Sequence, residues 1–250
     1  MTVTAKSSLL VAEDGSGAPS RSELSGQRTL TAAVTAQLRH EIINGRLRPG
    51  SKLSISDTTK RLRVSLSATR EALSRLASEG LVRPEEHKGY CVTPISIDDL
   101  KDLTQLRIEV DSLALRDAIK RGDAAWEARI VSASHLLSRT PLNDQPGSSA
   151  VSEIWADKHR EFHLALISAC QSPRLIQLHN TLFEQSERYR RLSIGYAKSP
   201  AVVNASHHGL VAPVLARDVE GAIAAIRDHF EGTTRVIVER ETGRNFQLAD

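Results

Sequence analysis

The chain has 250 residues, 40% of them hydrophobic and 25% charged, with a formal net charge of +3. That length fits two compact domains, and that composition excludes wholesale disorder. No apolar run approaches the roughly 20 residues of a membrane-spanning helix; Leu9-Leu10-Val11-Ala12 is too short for an export signal, and Cys91 and Cys170 match no zinc or disulfide spacing, so a cytoplasmic chain away from membranes is expected.

Residues 1–27 are rich in Ser, Gly and Thr and read as a flexible tail. From Leu30 to Asn44, Val34, Leu38, Ile42 and Ile43 recur at helical spacing, and Asn44-Gly45 and Pro49-Gly50 stop and turn the chain. A short helix follows over Ser54 to Leu62. Ser65 and Ser67 offer N-caps for the next, which carries Ala68, Ala72, Leu73, Leu76 and Ala77 on one face and ends at Gly80. Leu81-Val82-Arg83 and Tyr90-Cys91-Val92-Thr93 flank a Gly-containing turn and predict a small hairpin. From Ser96 onward helices are expected near 98–120, 124–139, 152–171, 173–196, 206–216 and 219–240, with Pro141 to Ser149 a loop and Lys198-Ser199-Pro200 a break. The fold class is mainly α: an N-terminal winged helix-turn-helix over 28–95, three helices plus a β-hairpin wing, then an all-α antiparallel helical bundle over 96–241.

Charge separates these two modules. Residues 28–95 hold 12 Lys+Arg against 6 Asp+Glu, whereas 96–250 hold 19 against 21. A basic module suits a polyanion, although a solvated basic surface has the same composition. In a helix-turn-helix the N-terminal residues of the second helix meet base edges in the major groove of double-stranded DNA. Ser65, Leu66, Ser67, Thr69 and Arg70 hold those positions, and Arg70 can pair bidentately with guanine. Arg75, Lys52 and Lys60 are candidate phosphate contacts. Gly89 at the hairpin tip would allow close backbone approach to the duplex, and Lys88 beside it adds charge.

These residues carry a resemblance. Gly45-Arg46-Leu47-Arg48-Pro49-Gly50-Ser51-Lys52-Leu53 resembles the opening of GntR-family heads, and Val64 to Leu73 is similar to that family's recognition helix. Glu79-Gly80-Leu81-Val82 and Gly89-Tyr90-Cys91-Val92 continue the likeness. Leu66 stands where the family usually has a DNA-contacting Arg, and Ala68 where it usually has Pro.

Nine histidines are the second signal. His159 and His163, four apart, share a helix face and can share a metal ion such as zinc or nickel; His207 and His229 are candidates for further ligands. Each could equally be a surface or core histidine. Asp157 is a candidate partner for a ligand imidazole. Arg107 falls on the stripe Leu100, Leu103, Val110, Ala114, and a buried guanidinium there calls for a carboxylate, either Asp111 one turn on or a small-molecule effector. Tyr189 follows Leu175, Leu178 and Leu182 and either packs in the core or offers its hydroxyl to the same pocket.

The bundle resembles the FCD effector domain that follows GntR heads in the FadR-like subfamily. His159-Arg160-Glu161-Phe162-His163 is similar to the first element of that domain's metal motif, with His159 in place of Asp. His207 and His229 lie eleven residues to either side of Asp218, as the pattern expects. The resemblance implies a homodimeric repressor released from its operator by a small carboxylate, a dicarboxylate such as glutarate, that Arg107 would bind. The alternative from another class is a metal-dependent hydrolase fused to a nucleic-acid module, but no H-E-x-x-H, nucleophile elbow or phosphate loop occurs, and the chain is read as a non-enzyme.

Overall fold

The computed structural model describes residues 21–86, 89–145, 151–193 and 200–242. In chain order the elements are α1 (Arg21–Ile43), β1 (Lys52–Leu53), α2 (Ile55–Leu62), α3 (Leu66–Ser78), β2 (Val82–Glu85), β3 (Gly89–Val92), α4 (Ile97–Arg121), α5 (Ala124–Arg139), α6 (Glu153–Ile167), α7 (Pro173–Ser193), α8 (Pro200–Leu215) and α9 (Val219–Thr242).

The head closes around Val34, Leu38 and Ile42 of α1, Leu53 of β1, Leu73 and Leu76 of α3, and Leu81, Val82 and Val92. α1 begins at Arg21, so residues 21–27 extend a helix rather than a tail. Packing anchors its C-terminal half, and extending an existing helix by a residue is far easier than nucleating one. Gly45 (φ 70°) and Gly50 (φ 77°) turn the chain into β1. Ser54 caps α2 and Ser65 caps α3, each accepting a backbone N–H at 3.2 Å. The expected hairpin is part of a three-stranded antiparallel sheet in the order β1-β3-β2. β1 pairs Lys52 with Cys91 and Leu53 with Tyr90. Two residues are too few to show a period of two, so its sequence carries no strand signal.

The bundle is built on α4, which lies against α6, α7 and α9, while α5 packs on α6 and α8. Ile108, Leu115, Trp126, Trp155, Phe162 and Phe230 belong to its core. Ser96 and Asp123 cap α4 and α5. α6 ends at Ile167, short of 171, and α8 begins at Pro200, ahead of 206. Pro is tolerated in a first helical turn, where its missing N–H would have had no partner. α7 also packs on α1, so one bundle helix touches the head. No described helix is long and apolar enough to cross a membrane.

Candidate functional site

Four histidines meet in the bundle. His159 and His163 come from α6, His207 from α8 and His229 from α9, and one ligand atom of each lies within 4.8 Å of the others. The i, i+4 spacing on α6 puts the two Nε2 atoms 3.2 Å apart. His207 Nδ1 is held by the Val203 carbonyl at 2.7 Å, so it carries the proton and Nε2 is left as an acceptor. That Nε2 is buried with no hydrogen-bond partner among the described residues. His229 Nδ1 meets Ser206 Oγ at 2.7 Å.

Burial keeps this cluster uncharged. Desolvation, then the neighbouring imidazoles, hold His163 and His207 well below the ordinary histidine range. His229 is lowered to about 3 by burial first, and His159 to about 4 by burial despite the opposing Glu187. Four neutral imidazoles with converging lone pairs, one of them orphaned, are a donor set that fits a divalent metal ion.

Glu187 of α7 lies at ion-pair distance, 3.5 Å, from His159 Nδ1. It is buried, and Arg190 holds it low by charge and by a hydrogen bond at 2.6 Å. The expected partner, Asp157, is instead exposed: two residues before His159, it falls on the other side of α6. Glu187 was missed because, three residues from Arg190, it reads as one half of a surface pair.

The cluster opens into a cavity of about 290 Å³ that Arg107, Tyr189, Arg190 and Phe230 also line. The Arg107 guanidinium lies 3.9 Å from the centre of the Phe230 ring and donates to Ser186 Oγ at 2.8 Å. Asp111 is 3.7 Å away and bonds His179 Nδ1 more closely, at 2.7 Å. Arg107 Nε is buried with no hydrogen-bond partner among the described residues. The internal partner therefore exists but does not use every guanidinium donor, and Arg107 lines the cavity. Tyr189 departs from expectation. Its ring lines the cavity, but its hydroxyl donates to Asp99 and accepts from Ser96 N at 3.2 Å, at the start of α4. Burial and Asp99 push that phenol up, and the hydroxyl is not offered to a ligand.

On the head, the cap Ser65 and Ser67 and Arg70 of α3 are exposed, as are Lys52 and Lys60. Arg75 is exposed and paired with Glu71 at 2.5 Å. Thr69 overturns the reading of it as a base contact. It is fully buried, accepts from Thr59 Oγ1 at 2.9 Å and donates to the Ser65 carbonyl at 3.1 Å, tying α2 to α3. Lys88 lies outside the described residues. Gly89, at φ 91°, has a reason inside the protein: a Cβ there would sit 2.8 Å from the Leu53 carbonyl of β1.

Sequence patterns of two families match this layout. The pattern of the bacterial regulatory proteins of the gntR family covers residues 30–92, and that of the FCD domain covers 102–232. The chain belongs to the GntR family. It is a transcriptional regulator of the GntR type with an FCD domain, and DNA binding is the property of that class. It is 39% identical over 210 residues to the HTH-type transcriptional regulator BphR of Paraburkholderia xenovorans, covering 84% of this chain and 86% of that one. It is 32% identical to the HTH-type transcriptional repressor GlaR of Escherichia coli, covering 82% and 94%. The solved structure of E. coli McbR/YncC shares the fold, with a TM-score of 0.69 at 20% identity over 84% of this chain and 98% of that one. Relatives of this kind give the hydrolase alternative no support. Glu161, the acid nearest His163 in sequence, is exposed and paired with Lys158 at 2.7 Å.

Proposed function

We propose that this GntR-family regulator is a homodimeric repressor, with a DNA-binding head over 28–95 and an effector domain over 96–241. A small carboxylate, a dicarboxylate such as glutarate, releases it from its operator. One observation carries this reading: four neutral imidazoles and the Arg107 guanidinium line the same cavity. His159, His163, His207 and His229 would hold a divalent ion, zinc or nickel, which when bound supplies positive charge and coordination for a carboxylate. The Val203 carbonyl orients His207, and Glu187 lies 3.5 Å from His159 Nδ1, the places that outer partners of ligand histidines take. Arg107 provides charge-assisted hydrogen bonds to an anion in the cavity.

α7 is the physical route to the head. Ser186 and Glu187 face the cavity. On either side of them, Gln185 Nε2 donates to the Glu79 carbonyl at the end of α3 at 2.8 Å, and Arg188 donates to the Thr93 carbonyl after the wing. Glu184 and Glu79 share Arg39 of α1 at 2.8 and 2.6 Å. A ligand that moves Ser186 or Glu187 therefore shifts the helix that supports α3. Release requires the ligand to favour the arrangement that does not bind DNA, and such couplings are typically about 1–3 kcal/mol, or roughly 5–150-fold.

The test is titration calorimetry on the full chain, zinc first and then glutarate. Zinc binding at one site per chain and glutarate binding that depends on zinc and is lost in Arg107→Met support the reading. Unaltered glutarate affinity in Arg107→Met would place the carboxylate elsewhere.

A further inference from the structure

The exposed row of α3 holds an unread letter. Its outward positions in the first turns are Leu66, Ser67, Arg70, Glu71, Ser74 and Arg75. Glu71 and Arg75 satisfy each other at 2.5 Å. Arg70 makes no ion pair or hydrogen bond among the described residues, and nor does Leu66, which is 47% exposed, one turn before it. The i, i+4 relation puts both side chains on one face. The tip of α3 thus presents an apolar knob and a free guanidinium side by side, with the Ser65 hydroxyl already engaged as the cap.

Single exposed leucines are ordinary on protein surfaces. Leu66 differs by its place, on the first turn of the helix that this fold lays against base edges. Leucine can neither donate nor accept a hydrogen bond, so it is blind to every donor and acceptor in the major groove. The apolar feature available there is the C5-methyl of thymine. We propose that Leu66 is a specificity-determining residue that selects a thymine through its 5-methyl group, beside the guanine that Arg70 reads. The four-residue step from Leu66 to Arg70 advances about 6 Å along the helix, and stacked bases advance about 3.4 Å. The thymine therefore falls one or two base steps from the guanine. This inference rests on the reading of α3 as the base-contacting helix.

The experiment is selection of bound duplexes from a randomised library by the full chain, compared with Arg70→Ala, Leu66→Ala and Leu66→Arg. The guanine is the position whose preference Arg70→Ala abolishes, and thymine is expected one or two steps away. Replacing that thymine by uracil removes only the methyl. It should weaken wild-type binding about three- to fourfold per half-site and leave Leu66→Ala indifferent. Leu66→Arg should move the preference to guanine. A motif that tolerates any base there would overturn the Leu66 assignment alone, as would uracil bound as tightly as thymine or a thymine preference that survives Leu66→Ala. Binding with no sequence preference would overturn it together with base reading by α3. The uracil comparison uses the wild-type chain, so it stands even if a variant folds poorly.

Discussion

The head and the bundle spend their polar residues in opposite ways. In the head, the buried polar side chains are small hydroxyls, Thr31, Thr35, Thr58 and Thr69, with Thr35 bonded to the Thr31 carbonyl at 2.8 Å, plus Glu41, paired with Arg61 at 2.8 Å. Its exposed basic residues, Arg70 among them, stand outside an apolar core. The bundle buries His159, His163, His179, His207, Asp111, Glu187 and Arg188. Burying ionisable groups costs several kcal/mol each unless they are neutral, paired or metal-bound. A fold bears that where the groups form a site. On the proposed reading, one region reads a surface from outside, and the other senses a small molecule from within.

Four changes would break or sharpen that contrast. Leu73→Ala opens a hole in the head's apolar core and should cost about 2–5 kcal/mol. Urea unfolding should then show the head melting ahead of the bundle; a single shifted transition would mean the α7 contacts fuse the two. His163→Ala removes a ligand from the buried cluster. Loss of an outer partner alone costs metal sites about 10–100-fold, so zinc affinity measured by chelator competition should fall by at least the upper figure. An unchanged affinity would remove the metal from this cluster.

Acid should act on the bundle. Its histidines titrate lower when folded, His159 at about 4 and His229 at about 3, than unfolded at about 6.5. Below about pH 6.5 the unfolded chain takes up more protons, so stability is full above that pH and falls as the pH drops toward 4. Melting of the metal-free protein should show this fall between about pH 7 and 5, and a flat profile would deny the neutral buried cluster. The smallest effect is expected from Thr69→Val, about 1 kcal/mol of head stability with the selected base preference unchanged. A changed preference would return Thr69 to the DNA face.

Much of the head was legible because its signals are local. Val34, Leu38 and Ile42 showed the helical period, and Ser65 stood where a cap belongs. Thr69 was misread although the information was present: with Ala72, Leu73 and Leu76 it forms an i, i+3, i+4, i+7 set, which is a buried stripe. In the bundle, the His159–His163 spacing was readable from the chain, while His207 and His229 were bare candidates until the resemblance tied them to the same site. Glu187 and the Tyr189 hydroxyl were not readable. Their partners, His159 and Asp99, lie on other helices, and tertiary packing alone brings them together.

In the proposed coupling, the bundle cavity governs the DNA face through α7. Operator affinity, measured at fixed salt with zinc present and with or without glutarate, tests it in wild type and in Gln185→Ala. The account predicts roughly a 5–150-fold loss of affinity on glutarate binding in the wild type. In Gln185→Ala, which lacks the bond to the Glu79 carbonyl, that loss should be smaller than in the wild type, with glutarate still bound. A wild-type change below about twofold, or an undiminished response in Gln185→Ala, would contradict it.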